Sequence, residues 1–207
     1  MPGFDAGVFF EMFFIIYLIL NIKIVKHLIF IIFLLFGNIT LGVSQKYFTK
    51  TGRISFYSDT PLEKIEAHNK STNCVLDLSS GKLEFGVLIK GFQFEKALMQ
   101  EHFNENYMES SKFPKATFKG QIDQFSKIDV TKNGKNTVKV SGELTIHGVT
   151  KNVSTDAVLE VINGKMNADA VFNILVADYN ISIPSLVKDQ IAKSVKVKVD
   201  TTLDLLK

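Results

Sequence analysis

Val195-Lys196-Val197-Lys198-Val199-Asp200-Thr201-Thr202-Leu203-Asp204-Leu205 is the stretch that decides the fold. Valines and leucines hold one set of alternate positions. Lysines and aspartates hold most of the other. Successive side chains of a strand point to opposite faces, so a period of two marks a strand with one face in an apolar core and one in water. On a helix the same residues would be scattered around the circumference and bury no face.

The alternation recurs upstream. Ile54 and Phe56 alternate with Arg53, Ser55 and Tyr57. Leu83, Phe85, Val87 and Ile89 alternate with Lys82, Glu84, Gly86 and Leu88. Ala116, Phe118, Gly120 and Ile122 alternate with Thr117, Lys119, Gln121 and Asp123, and Val138, Val140, Leu144 and Ile146 with Lys139, Ser141, Glu143 and His147. Turn chemistry separates the runs at Ser79-Ser80-Gly81, Asn133-Gly134-Lys135 and Asn163-Gly164, and His147-Gly148 reads as a tight connection. No repeat or linker divides residues 45–207. This pattern predicts an all-β sandwich or barrel, and an antiparallel barrel of about eight strands has the advantage that its closure hides its edges.

Two segments break the rhythm. Residues 94–109, FEKALMQEHFNENYME, predict a helix with Phe94, Ala97 and Leu98 on one face and Met99, Phe103 and Tyr107 on another. Residues 184–193, PSLVKDQIAK, predict a short helix opened by Pro184. Its Leu186, Val187, Gln190 and Ile191 would cover one end of the sheet. One or two short helices are thus expected near the open end of the barrel.

Composition divides the 207 residues into two parts. Hydrophobic side chains make up 46% of the chain, but thirty of the first 44 residues belong to that class. Residues 1–44 form an apolar leader, and residues 45–207 form the barrel domain. Within the leader, Lys23 and Lys26 precede the run LIFIIFLLF, as in a secretory signal. Gly42 and Ser44 offer a cleavage site ending at Ser44. That reading predicts a periplasmic or secreted protein. The alternative is a membrane anchor, because the second run approaches the ~20 apolar residues of a spanning helix. The earlier run, VFFEMFFIIYLIL, is accounted for by a translation start near residue 22 or by a two-helix anchor.

The net charge of +3 is too weak and too dispersed for a nucleic-acid-binding face. A single cysteine makes no disulfide framework. No nucleophile elbow, phosphate-binding loop or zinc-protease motif occurs. His68, His102 and His147 are not paired at metal-ligand spacing, so no metal, cofactor or catalytic residue is predicted. Cys74 reads as a small buried hydrophobe. Glu101, Glu105 and Glu109 read as a solvated stripe. The phenylalanines after Ser44 read as core, but a barrel of this size is either filled by its side chains or shares its interior with one small ligand.

Phe113-Pro114-Lys115-Ala116-Thr117-Phe118, followed by Gly142-Glu143-Leu144-Thr145-Ile146-His147-Gly148-Val149-Thr150-Lys151, resembles the paired hallmark of the YceI-like family. His102-Phe103 and Asp178-Tyr179-Asn180-Ile181-Ser182-Ile183-Pro184 are also similar to its patterns, and the resemblance runs from about Tyr47 to Lys207. It implies a lipocalin-like antiparallel barrel that binds an isoprenoid, such as a polyisoprenoid quinone, or another amphiphilic lipid, with no catalysis. The ligand is the partner it implies. A membrane-surface contact and a homodimer are compatible with it. The residues carried over as ligand contacts are Phe85, Phe94, Leu98, Phe103, Phe118, Leu144, Ile146, Phe172 and Tyr179. Many members have a longer early region, whereas here Glu63 to Ser80 is polar and the hairpin after it is compact. This predicts a shallower pocket suited to a fatty acyl chain, or a barrel filled by its own phenylalanines that acts as a structural or interaction module of the envelope.

Overall fold

The computed structural model describes residues 45–206 and, ahead of them, Tyr17, Ile22, Val25 and Lys26, which are helical. The expectations about signal and anchor rest on residues outside this set. The chain divides into two compact units, Met1–Val43 and Ser44–Lys207. The second is the barrel.

Its strands are β1 (Lys46–Asp59), β2 (Lys64–Asp77), β3 (Lys82–Leu88), β4 (Gln93–Phe94), β5 (Lys115–Ile122), β6 (Gly134–Ile146), β7 (Val149–Ile162), β8 (Lys165–Leu175) and β9 (Ser194–Leu205). Eight of them run in the order β1-β9-β8-β7-β6-β5-β3-β2, and a β1–β2 pairing closes the ring, every pair antiparallel. The opening stretch is β9, with Val195 and Leu203 buried among the inward residues.

The polar segment after Glu63 is a full 14-residue strand, β2, rather than a reduced early region. Its inward positions are Ala67, Asn69, Thr72, Cys74 and Leu76, all buried. Small and polar side chains at these positions hide the alternation. The phase also slips between Asn69 and Thr72, opposite the irregular register of β1 around Gly52. A Cβ on Gly52 would stand 2.9 Å from the Thr201 hydroxyl and 3.0 Å from the Thr72 carbonyl, so this corner accepts only glycine without adjustment.

β3 is interrupted by a 3-10 turn at Ile89–Gly91 and resumes along β2 as β4, where Phe94 faces Ala67. Buried Asn69 supports the break. Its amide donates to the Leu88 carbonyl at 2.9 Å, and its oxygen accepts from the Ser71 N–H at 2.9 Å. The helix expected over 94–109 is shorter and of two kinds. Helix α1 spans Ala97–His102, and a π-type turn follows at Phe103–Tyr107, closed by the Met108 N–H to the Phe103 carbonyl at 2.9 Å. Phe94 belongs to β4. The segment 184–193 is not a helix beyond the 3-10 turn Ser185–Val187. Ser58 of β1 accepts the Ala192 N–H at 2.8 Å and holds the chain against the barrel rim. Leu186, expected to cover the end of the sheet, is 92% exposed.

The two ends of the barrel differ. At one end, Tyr47, Cys74, Leu76, Ile122, Met166 and Leu203 are buried in one cluster, with Phe125 added from the β5–β6 connection. This is the floor. The other end carries the β1–β2 and β6–β7 turns, α1 and the long β8–β9 connection, and it is the mouth.

One seam of the wall is incomplete. β7 and β8 pair only from Ala157↔Ala170 to Ile162↔Lys165, whereas β6 and β7 pair along their whole length and β8 pairs with β9 up to Leu175↔Ser194. Residues 149–156 and 171–175 therefore face one another across the mouth half without ladder pairing. A 3-10 turn, Val176–Tyr179, packs back on β7 at the top of this seam.

Candidate functional site

Inward residues of all eight barrel strands, with Phe94 of β4, leave a cavity of about 520 Å³ above the floor. Its sides come from inward positions such as Ile54, Val87, Val140, Leu159, Ala168 and Val197, so the alternation that makes the barrel also makes the cavity apolar. The volume lies within the ~300–1,000 Å³ typical of small-molecule pockets. The reading of a barrel filled by its own phenylalanines conflicts with this space.

Seven of the nine residues singled out in the sequence stand on the cavity wall: Phe85, Phe94, Phe103, Phe118, Leu144, Ile146 and Phe172. Leu98 does not. It is 61% exposed, because α1 turns Met99 and His102 toward the cavity and Leu98 away. Tyr179 is also off the wall. It is buried in the turn after β8, where its carbonyl lies 3.2 Å from His147 Nδ1, and burial pushes its phenol up from the ordinary value.

The mouth is an aromatic cluster. Phe56 from β1 and Phe103 from the π-type turn stack on each other and on Phe92 and Phe94 from the continuation of β3, with ring centroids 5.0–5.7 Å apart in these five pairs. Phe103 touches all three others. These side chains are only partly buried apart from Phe92, so one flank of each faces the cavity. Phe92 and Phe56 are the members that sequence reasoning missed as contacts, and Phe56 is the more instructive. Its alternation was visible, but nothing local said that β1 lies beneath the helix. Ile181, Ile183 and Ile191 of the β8–β9 connection were missed for the same reason: they have no period, and only the fold brings them to the cavity.

Lower down, Phe118 lies over Gly120, whose missing side chain leaves room for the ring. Gly120 faces Gly142 across the β5–β6 pair. A Cβ on Gly142 would press on the Lys119 carbonyl and the Gly120 Cα, both backbone. The glycine that opens the second half of the sequence hallmark is thus a close-approach position.

Polar chemistry lies mostly outside the cavity. His147 sits in the β6–β7 turn with φ 52°, followed by Gly148 at φ 75°, the geometry of a two-residue hairpin turn. Its ring packs 4.6 Å from that of Phe113, and its Nε2 lies 3.3 Å from the Glu109 carboxylate. His147 and Glu109 therefore tie the turn to the segment before β5. Among the described residues no three His, Cys, Asp or Glu side chains cluster to hold a metal ion. Cys74 is in the floor, and burial pushes its thiol well above the ordinary range, which disfavours the reactive thiolate. The wall is apolar, and Cys74 lies outside it.

Comparison with known proteins agrees with this geometry. The YceI-like domain family matches residues 43–203. No curated protein sequence matches the chain. Among solved structures, a polyisoprenoid-binding domain of Saccharophagus degradans implicated in plant cell wall breakdown is similar, with a TM-score of 0.69 at 14% identity, covering 78% of this chain and 98% of that one. BcnA of Burkholderia cenocepacia has a TM-score of 0.60 at 18% identity over 75% of this chain and 96% of its own. The Campylobacter jejuni YCEI protein has a TM-score of 0.53 at 19% identity over 67% and 83%. At these identities the likeness carries the fold. The family match spans nearly the whole barrel, from before β1 to within β9, and on that ground the chain belongs to the YceI-like domain family.

Proposed function

We propose that this protein binds an isoprenoid, such as a polyisoprenoid quinone, or another amphiphilic lipid inside the barrel and carries or stores it without altering it chemically. The observation that carries this reading is the apolar cavity of about 520 Å³ between a packed floor and an aromatic mouth. Each methylene moved from water into such a cavity contributes ~0.8 kcal/mol, so a chain of modest length binds firmly with few hydrogen bonds. The similar domain of Saccharophagus degradans, described as polyisoprenoid-binding, supports the same ligand class. The reading includes export. Lys23, Lys26 and the apolar run after them would direct the chain across a membrane, and cleavage after Ser44 would release the barrel in the periplasm or outside the cell.

Native mass spectrometry of protein expressed in a bacterial periplasm tests the binding. A co-purified lipid of defined mass is expected. Repeated recovery of empty protein that takes up neither labelled quinone nor labelled fatty acid overturns it. N-terminal sequencing of the same sample tests export, with a chain beginning at Gln45 expected and recovery of Met1 in the membrane fraction excluding cleavage.

A further inference from the structure

We propose that the outer flank formed by β9, the free edge of β8 and the β8–β9 connection docks on an anionic lipid bilayer, with Leu186 entering the surface and lysines meeting its head groups. The docking goes beyond the carrier reading and can fail while that reading stands.

Charge sets this flank apart from the rest of the outer wall. Lys119 of β5 stands between Glu84 and Glu143, and Lys135 and Lys139 of β6 face Glu160 and Asp156. On β9 the cross-strand neighbours are neutral. Lys196 stands between Asn173 and Tyr57, and Lys198 between Val171 and Ser55. From Leu186 to Val199 the chain carries Lys188, Lys193, Lys196 and Lys198 against one acid, Asp189. All four lysines are exposed. The lysine salt bridges of the described residues belong to Lys96, Lys112, Lys132 and Lys165, so these four have no carboxylate partner. Two nearby acids are already engaged: Asp200 holds Arg53 at 3.0 Å, and Glu66 faces His68 at 3.3 Å. Asp169, opposite Asp200, marks the lower limit of the basic patch.

Apolar side chains stand among these cations. Val171 is 56% and Leu175 50% exposed on the outer face of β8. Leu186 projects from the 3-10 turn Ser185–Val187, while the next residue, Val187, lines the cavity. The end of this connection is fastened, by the Ala192 N–H to Ser58 and by the Val176 N–H to the Lys193 carbonyl at 3.1 Å. Leu186 is therefore an apolar tip on a tethered segment.

The pattern fits a bilayer better than a protein partner. Single apolar tips interleaved with lysines on the convex outside of a barrel make no recess for a peptide. A bilayer surface accepts both, because apolar tips enter the acyl boundary while lysine stems lie along it and ammonium groups reach the phosphates. Anionic lipid attracts each lysine near the surface, within about a Debye length. The flank is also continuous with the cavity. Residues 171–175 are the β8 edge of the open seam, and Val187 lies on the cavity wall, so docking brings both openings to the membrane.

Cys74 is fully buried, so one new surface cysteine takes a thiol-reactive, polarity-sensitive fluorophore. The full chain labelled at Leu186→Cys is titrated with phosphatidylcholine vesicles with and without phosphatidylglycerol. A blue shift is expected with phosphatidylglycerol only. The same label at Thr131→Cys, in the floor-end connection, is expected to stay in water, which separates this docking from attachment through residues 1–44. Lys196→Glu with Lys198→Glu is expected to raise the phosphatidylglycerol needed for half the shift by at least ~10-fold. Lys82→Glu with Lys127→Glu, the same charge change at the floor end, is expected to leave it nearly unchanged. No shift at Leu186, or an equal loss from both pairs of reversals, overturns the proposal. So does a shift given by polyglutamate and not by vesicles, which would assign the patch to an acidic protein. A charge-reversed chain that no longer docks but still co-purifies with lipid supports the docking and leaves the carrier reading intact. Docking by a chain that takes up no lipid overturns the carrier reading alone.

Discussion

The floor and the mouth of this barrel are built from the same strands under the same period of two, yet one is solid and the other hollow. At the floor, Leu76, Ile122, Met166 and Leu203 from four strands meet and are almost completely buried. Phe125 enters from the β5–β6 connection and plugs the end, and the Tyr47 hydroxyl donates to the Gly164 carbonyl at 2.8 Å, tying β1 to the β7–β8 turn. At the mouth, Phe56, Phe94 and Phe103 are partly buried, the β7–β8 ladder is open, and space remains between the walls. Stability is concentrated where opposing side chains touch, and binding capacity where they do not. A close-packed interior stabilises through many small contacts, and a cavity forfeits those on one side.

The sharpest way to break this contrast is to empty the floor. Leu76→Ala or Leu203→Ala removes a fully buried side chain and is expected to lower stability by about 2–5 kcal/mol, read from urea unfolding. Lipid affinity of the folded fraction should change little. A large loss of affinity at unchanged stability would show that the floor belongs to the binding site.

Gly142→Ala tests the wall between the two regions. The added methyl meets backbone of β5, so β5 and β6 must separate, at about 1–3 kcal/mol. The unfolding midpoint should fall, while Gly134→Ala, which meets nothing within 4 Å, should leave it nearly in place. Equal effects at the two glycines would remove the close-approach argument.

Phe103→Ala addresses the mouth. Its ring is partly buried and touches three others, so about 1–2 kcal/mol of stability is expected to go. Bound lipid should dissociate faster, in contrast to the floor variants. Unchanged lipid dissociation would mean that the aromatic cluster is packing alone.

The smallest effect is expected at Asp129, in the exposed β5–β6 connection at the floor end. Hydrogen bonds from the Thr131 hydroxyl, from Lys132 and from the Thr131 N–H hold its carboxyl down at about 2. The value lies below that of an unfolded aspartate, ~3.9. Its contribution is therefore present above ~3.9 and is lost as pH falls through about 2. Asp129→Asn should cost a little stability at neutral pH, and the difference from the unaltered chain should vanish near pH 2. A carboxyl midpoint near the unfolded value in an NMR titration would remove this prediction.

Much of the barrel was legible from the chain because a strand's two faces are a local property. β9, β6 and β5 announce themselves by alternation, and seven of the nine residues singled out stand on the cavity wall. β2 was concealed because its inward places are taken by Ala67, Asn69, Thr72 and Cys74, which carry little hydrophobic signal. Leu98 was misplaced because helical spacing defines a face without saying which way that face turns.

By itself, the sequence determined that the domain is all-β with one apolar face to each strand, a pattern that a barrel and a sandwich both satisfy, and its hallmark motifs pointed to the barrel. Only the tertiary structure decided that the barrel holds a cavity, that Phe56 of β1 joins Phe92, Phe94 and Phe103 at its mouth, and that β7 and β8 part above Ala157. These features depend on distances between residues of different strands and connections. Such distances are set by closure of the ring and by the paths of its loops, and no local pattern encodes them.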